Sequence, residues 1–262
     1  MFAVPPHEHV RYEPAVVGGV AGWWCWPEGA ETTAVLLYLH GGGYVLGTAA
    51  AYRHFVGHVA AASGMPAFVA DYALAPERSF PAALDDATAA YRALARGGHA
   101  ITVVGDPAGG ALCLALGSAV RAAAETGDLR PSLGLAAFSP WTDLALTGDG
   151  LTTRARRDPL LTRDVLAAAA ADYLHGHDAR DWRASPLYGE FDGRVPVLIH
   201  VGADEVLFDD SLRVAERIAA AGSTVDLHVW QRMTHVFLTN TRLRAAAAAL
   251  QVCGAFLRHI RQ

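Results

Sequence analysis

Three short runs, "AVLLYLH" (34–40), "PAFVADY" (66–72) and "VPVLIHV" (195–201), are apolar at nearly every position. A strand with one wet face alternates apolar and polar residues. A continuous apolar run of this length reads instead as a strand covered on both faces, as in a mostly parallel sheet. Further β-rich runs at roughly 10–18, 20–26, 101–105, 133–139 and 224–230 extend the set to eight. Helical patterns separate most of them, clearest in "AALDDATAAYRALARG" (82–97), "AGGALCLALGSAVRAAAETG" (108–127), "DDSLRVAERIAAAG" (209–222) and "TRLRAAAAALQVCGAFLRHI" (241–260). Strand–helix alternation from about residue 34 onward implies a doubly wound α/β fold, with helices on both faces and an antiparallel hairpin at its start.

A chain of 262 residues, 52% hydrophobic and 18% charged, supplies one large core and reads as a single domain. The formal charge of −5 argues against nucleic acid or an anionic membrane as partner. Every basic residue apart from histidine is Arg and none is Lys, a composition bias that lowers the weight of any one arginine. Cys25, Cys113 and Cys253 lack metal spacing and offer no disulfide framework, which fits a reducing compartment. The start, "MFAVPPHEHVRYEP", has no basic segment followed by an apolar run, so no signal peptide is expected. The alanine runs at 167–171 and 245–249 fall within helices too short and too charged to span a bilayer. These readings point to a cytoplasmic protein that is a monomer or homodimer, acts on a small molecule, and needs no cofactor and no metal.

One stretch breaks the rhythm. About fifty residues separate "FSPWTDL" from "RVPVLIHV" with a helix but no convincing strand, a length that usually forms a lid. A cap insertion over about 145–190 is expected.

In open parallel sheets, ligands and chemistry gather at the carboxyl ends of the strands. Four segments follow strands there: "LHGGGY" (39–44), "GDPAGG" (105–110), "GADEVLFDD" (202–210) and "MTHVF" (233–237). Each alone has an ordinary structural reading as a turn, a capped helix start, a solvated acidic run or a core histidine. Together they follow the chain order of an α/β-hydrolase: elbow, acid, then His.

With "HGGGYVLG" (40–47), "DYALAPERSFPAALDD" (71–86), "SPWTDL" (139–144) and "SPL" (185–187) added, the chain resembles the hormone-sensitive-lipase-like carboxylesterases of the α/β-hydrolase superfamily. The resemblance runs from about residue 34 to the C-terminus. It implies Asp204 as the acid and His235 as the base, with the amides of Gly42, Gly43 and Ala108 as an oxyanion hole. Family members carry more chain before the HGGG strand than the 39 residues preceding His40, so a thinner cap and a more open pocket are expected.

The resemblance also places a serine nucleophile where this chain has Pro107. A saturated ring forms no acyl–enzyme, and proline, fixed near φ −65°, cannot adopt the positive φ of a nucleophile elbow. Proline suits the first turn of a helix, with Asp106 as its N-cap. No substitute nucleophile stands out: Cys113 lies in an apolar run, and Ser139 and Ser185 match structural positions of the family. Three readings remain open: acid–base chemistry without a covalent intermediate (elimination, lyase, cyclisation or water activation on a carbonyl compound), a catalytically inactive small-molecule binder, and an esterase inactivated by loss of its serine. Arg154, Arg156 and Arg157 of "TTRARRDP" read as a solvated face, and Trp23, Trp24 and Trp26 as packing.

Overall fold

The computed structural model describes residues 4–127, 129–130 and 132–261, so the first three residues of the N-terminal stretch read above lie outside it. Its strands are β1 (Val10–Val17), β2 (Val20–Pro27), β3 (Ala34–Leu39), β4 (Ala67–Ala70), β5 (Ala100–Gly105), β6 (Gly134–Phe138), β7 (Val197–Gly202) and β8 (Val225–Trp230). They form one sheet in the order β1-β2-β4-β3-β5-β6-β7-β8. The β1–β2 and β2–β4 pairs are antiparallel and every later pair is parallel.

The fully apolar runs are the sheet's centre because both faces are covered. Along β3, Val35, Leu37 and Leu39 enter one cluster while Ala34, Leu36 and Tyr38 enter the other. Helices α2 (Ala82–Arg96), α3 (Pro107–Glu125) and α6 (Phe208–Ala220) cover the first face. Helices α1 (Ala49–Ser63) and α7 (Arg244–Ile260) cover the second. Two further helices, α4 (Gly150–Thr153) and α5 (Arg163–Leu174), lie in the strandless stretch between β6 and β7. Among the described residues only α3 is long and apolar enough to cross a membrane, and it is mostly buried as the sheet's central helix.

The glycines of "GDPAGG" have a packing role. A methyl group on Gly109 would lie 1.9 Å from the Leu39 carbonyl oxygen, and one on Gly105 would lie 2.2 Å from the Gly109 carbonyl oxygen. No side chain fits at either place, so these glycines let α3 set its backbone directly against the ends of β3 and β5. That contact fixes where the first turn of α3 sits relative to the glycine loop after β3.

Candidate active site

Pro107 is the first residue of α3. Asp106 before it is extended, at φ −126° and ψ 164°, and residue 107 is not among those with positive φ. The turn is therefore a relaxed helix start rather than a strained elbow. The Asp106 side chain does not cap the helix, contrary to the sequence reading. It turns the other way, where its Oδ1 accepts hydrogen bonds from the Tyr38 hydroxyl at 2.8 Å and the Gly41 amide at 3.0 Å. Two donors on the glycine-loop side compete successfully with the helix amides for one carboxylate.

Burial pushes the Asp106 carboxyl up to about 6 from its ordinary 3.8. The Tyr38 and Tyr52 hydroxyls, the Gly41 amide and the nearby His235 act in the opposite direction. A carboxyl whose native pKa is raised holds its proton more tightly when folded, so it costs stability as pH rises from about 4 through about 6. Asp106→Asn removes that cost. The variant is expected to gain up to about 3 kcal/mol over the parent at pH 8, with the gap closing below pH 4. Urea midpoints at the two pH values measure it, and a gap that does not change with pH would contradict the assignment.

The loop after β3 is shaped by the same cluster. Gly42 has φ +125°, and a methyl there would meet the Leu46 carbonyl oxygen at 2.0 Å. Pro107 packs beneath Gly41, its Cδ 2.9 Å from where a Gly41 side chain would begin. The amides of Gly42 and Gly43 thus belong to a loop held close to Pro107. The Ala108 amide, in the first turn of α3, has no intrahelical carbonyl to bond. Above the loop, Tyr44 stacks on Tyr173 of α5, with ring centroids 3.9 Å apart and 6° between planes.

The carboxylate that meets His235 is Glu205, not Asp204. His235 Nδ1 lies 3.3 Å from Glu205 Oε1, with both residues buried. The loops after β7 and β8 are joined by backbone bonds, Ala203 N–H to the Trp230 carbonyl and Asp204 N–H to the Met233 carbonyl. Those bonds set the turn so that Asp204 faces out, its carboxylate 3.5 Å from Arg157, while Glu205 faces in. Glu205 Oε2 accepts from the Ser139 hydroxyl at 2.8 Å and from the Gly202 amide at 2.9 Å. With one carboxylate oxygen held by two donors, the other orients the imidazole. Nδ1 carries the proton given to Glu205, and Nε2 remains an acceptor.

Ser139 is the residue that sequence reading passed over as structural. It has φ +49° directly after β6, and its Oγ also accepts from the Val236 amide at 3.3 Å, which ties Glu205 to the segment carrying His235. A serine in a left-handed conformation at a strand end cannot be seen in the sequence. Cys113 is fully buried, and burial drives its thiol pKa well up, so it is no alternative nucleophile.

Residues 36–239 match a family described by the alpha/beta hydrolase fold. A crystal structure of an esterase from the bacterial hormone-sensitive lipase family superposes with a TM-score of 0.93, at 37% identity over 98% of this chain and 86% of that one. The chain belongs to the hormone-sensitive-lipase-like family of α/β-hydrolases. An acetyl-hydrolase of Streptomyces hygroscopicus is 38% identical over 98% of this chain and 84% of its own length. An esterase of Acinetobacter venetianus is 33% identical over 89% of this chain and 77% of its own.

Within this α/β-hydrolase the arginines of the 152–159 segment are largely a solvated face, as the sequence suggests, with Arg156 and Arg157 exposed and Arg154 half-buried. Arg154 lies over the Phe208 ring at 3.9 Å and donates to the Ala203 carbonyl, and Arg157 pairs with Asp204. Only Arg156 of the three is left exposed without such a contact. The outward Asp204 thereby helps dock the segment around α4 onto the loop that carries Glu205. The tryptophans do pack: Trp24 stacks on Trp26 at 4.7 Å, and Arg53 covers Trp23.

Proposed function

We propose that this hydrolase-fold protein carries out acid–base chemistry on a small carbonyl compound without a covalent intermediate, with Pro107 standing where its relatives carry their nucleophile. The observation that carries this reading is the His235–Glu205 pair, assembled and buried beside a helix start that offers no hydroxyl. His235 Nε2 takes a proton from a bound water or from the carbon next to the substrate carbonyl. The amides of Gly42, Gly43 and Ala108, the last at the positive end of α3, stabilise the oxyanion or enolate that develops. The same imidazolium then returns its proton to the departing group, which closes the cycle as hydrolysis by water or as elimination. In this reading the segment at about 145–190 is the cap, and the protein works in the cytoplasm as a monomer or homodimer, on a small molecule rather than on a membrane or nucleic acid.

The test has two arms. A fluorophosphonate probe is expected to leave the protein unlabelled. Turnover across a panel of small esters, β-hydroxy carbonyl and lactone compounds is expected to fall by about 10²–10⁴-fold on His235→Ala. Stoichiometric labelling of any Ser or Cys would show a nucleophile elsewhere. Binding of such compounds without turnover would favour a non-catalytic binder on this fold.

A further inference from the structure

The stretch between β6 and β7 grips the loop after β7 on both sides of Glu205. Gly150 donates its amide to Asp209 Oδ2 at 2.5 Å, and a methyl on Gly150 would lie 2.6 Å from the Val206 carbonyl oxygen. Arg154 donates to the Ala203 carbonyl and Arg157 pairs with Asp204. One further contact is unlike these. Asp158 is buried, and its Oδ2 accepts from the Val206 amide at 3.0 Å, across 48 residues of chain.

Half of the Asp158 carboxylate has an ordinary local explanation. Its Oδ1 accepts from the Leu160 and Leu161 amides at 2.9 and 3.0 Å, which closes a turn before α5. Such a turn needs only one oxygen. It does not call for a buried carboxylate whose second oxygen reaches the residue after Glu205. The Val206 N–H lies in the same peptide plane as the Glu205 carbonyl, so its direction fixes the rotation about the Glu205 Cα–C bond. On the other flank, the Asp204 amide is bonded to the Met233 carbonyl. Glu205 is thus held once by the segment that carries His235 and once by Asp158. Val206 and Leu207 are buried, so without Asp158 the Val206 amide is left unsatisfied away from solvent, and the loop must turn to relieve it. The Arg157–Asp204 pair is exposed at its arginine end and holds the loop weakly by comparison.

We propose that Asp158 is a positioning residue for Glu205, so that seating of the 148–161 segment and alignment of Glu205 with His235 are one event. The inference rests on the reading of His235 and Glu205 as the working pair. The His235 imidazole tests it, followed by NMR in the full chain carrying isotope-labelled histidine and assigned by the signal lost in His235→Ala. The parent is expected to show a proton on Nδ1 and a bare Nε2. Asp158→Asn is the selective variant. Its one accepting oxygen is claimed by the two local amides, so an N–H turns toward Val206 and only the long bond is lost. The fold should persist while the His235 signal moves to a mixture of tautomers, and Asp158→Ala should do the same. Any His235-dependent turnover should fall about tenfold or more in kcat, with KM little changed. Thr162→Ala removes the N-cap hydroxyl of α5 without touching the loop, and is expected to keep the parent signal. An unchanged His235 signal in folded Asp158→Asn, or an equal change in Thr162→Ala, would overturn the proposal. A parent without the Nδ1 proton would overturn the reading of the pair itself, and this inference with it.

Discussion

Pro107→Ser is expected to convert a protein inert to fluorophosphonates into one labelled stoichiometrically at residue 107, with new hydrolysis of short acyl esters. Three conditions for that gain are in place. Glu205 and His235 are assembled without any help from residue 107, since Glu205 is held by Ser139, just after β6, and by Gly202, the last residue of β7. The glycine loop is held by Asp106, which the substitution leaves alone. Serine also releases the φ restriction, so the strained elbow becomes reachable at a cost of about 1–3 kcal/mol. Activity should stay below that of a dedicated esterase, because the turn starts from its relaxed form. Intact-mass spectrometry after probe treatment reads the result directly. A folded Pro107→Ser protein that is neither labelled nor hydrolytic would mean that His235 Nε2 is out of line with residue 107, which would shift the balance toward a binding role.

The second large effect separates two neighbouring carboxylates. Glu205→Ala leaves the Ser139 hydroxyl and the Gly202 amide buried without an acceptor and His235 without its partner. At about 1–3 kcal/mol for each of the two donors, a loss of about 2–6 kcal/mol in unfolding free energy is expected, together with loss of any His235-dependent turnover. Glu205→Gln is more selective. Its carboxamide can still accept from Ser139 and Gly202, but it presents an N–H to His235 Nδ1. The imidazole proton is then driven to Nε2, where the base is needed, so turnover falls while stability changes little. Asp204→Ala removes only a half-exposed pair with Arg157, worth about 0–1 kcal/mol, and should leave turnover near the parent value. If Asp204→Ala were the more damaging change, the placement of the acid here would be wrong.

The α/β framework was legible because β3, β4 and β7 are apolar on both faces, a pattern that amphipathic helices and half-wet strands do not produce. The helix over 49–63 was less visible, since its sequence "AAAYRHFVGHVAAAS" mixes histidines and alanines with little contrast between faces. At the candidate site, the segments that come together were legible and the side chains within them were less so. Asp204 and Glu205 are adjacent carboxylates, and which one turns inward depends on the backbone bond from Asp204 to Met233, far along the chain. The capping role read for Asp106 failed for a similar reason: helix-start rules weigh only local amides, whereas Tyr38 and Gly41 come from another strand and its loop. Ser139 was read only as a structural position, because its particular role lies in two long-range hydrogen bonds and a left-handed φ, none of which leaves a local mark.

The stack of Tyr44 on Tyr173 ties α5 to the glycine loop. Tyr44 directly follows the glycines of the loop and holds a left-handed φ of 66°. Tyr173 lies near the end of α5, and its carbonyl also accepts from the Phe80 amide. A helix joined to the loop through face-to-face rings cannot swing aside without breaking the stack or tilting the loop. On the proposed reading, in which the Gly42 and Gly43 amides are donors, compounds too bulky for this arrangement are expected to be turned over slowly as well as admitted slowly, since the motion that makes room also misdirects those amides. Size selectivity in this protein should appear in the rate of the chemical step and not in affinity alone.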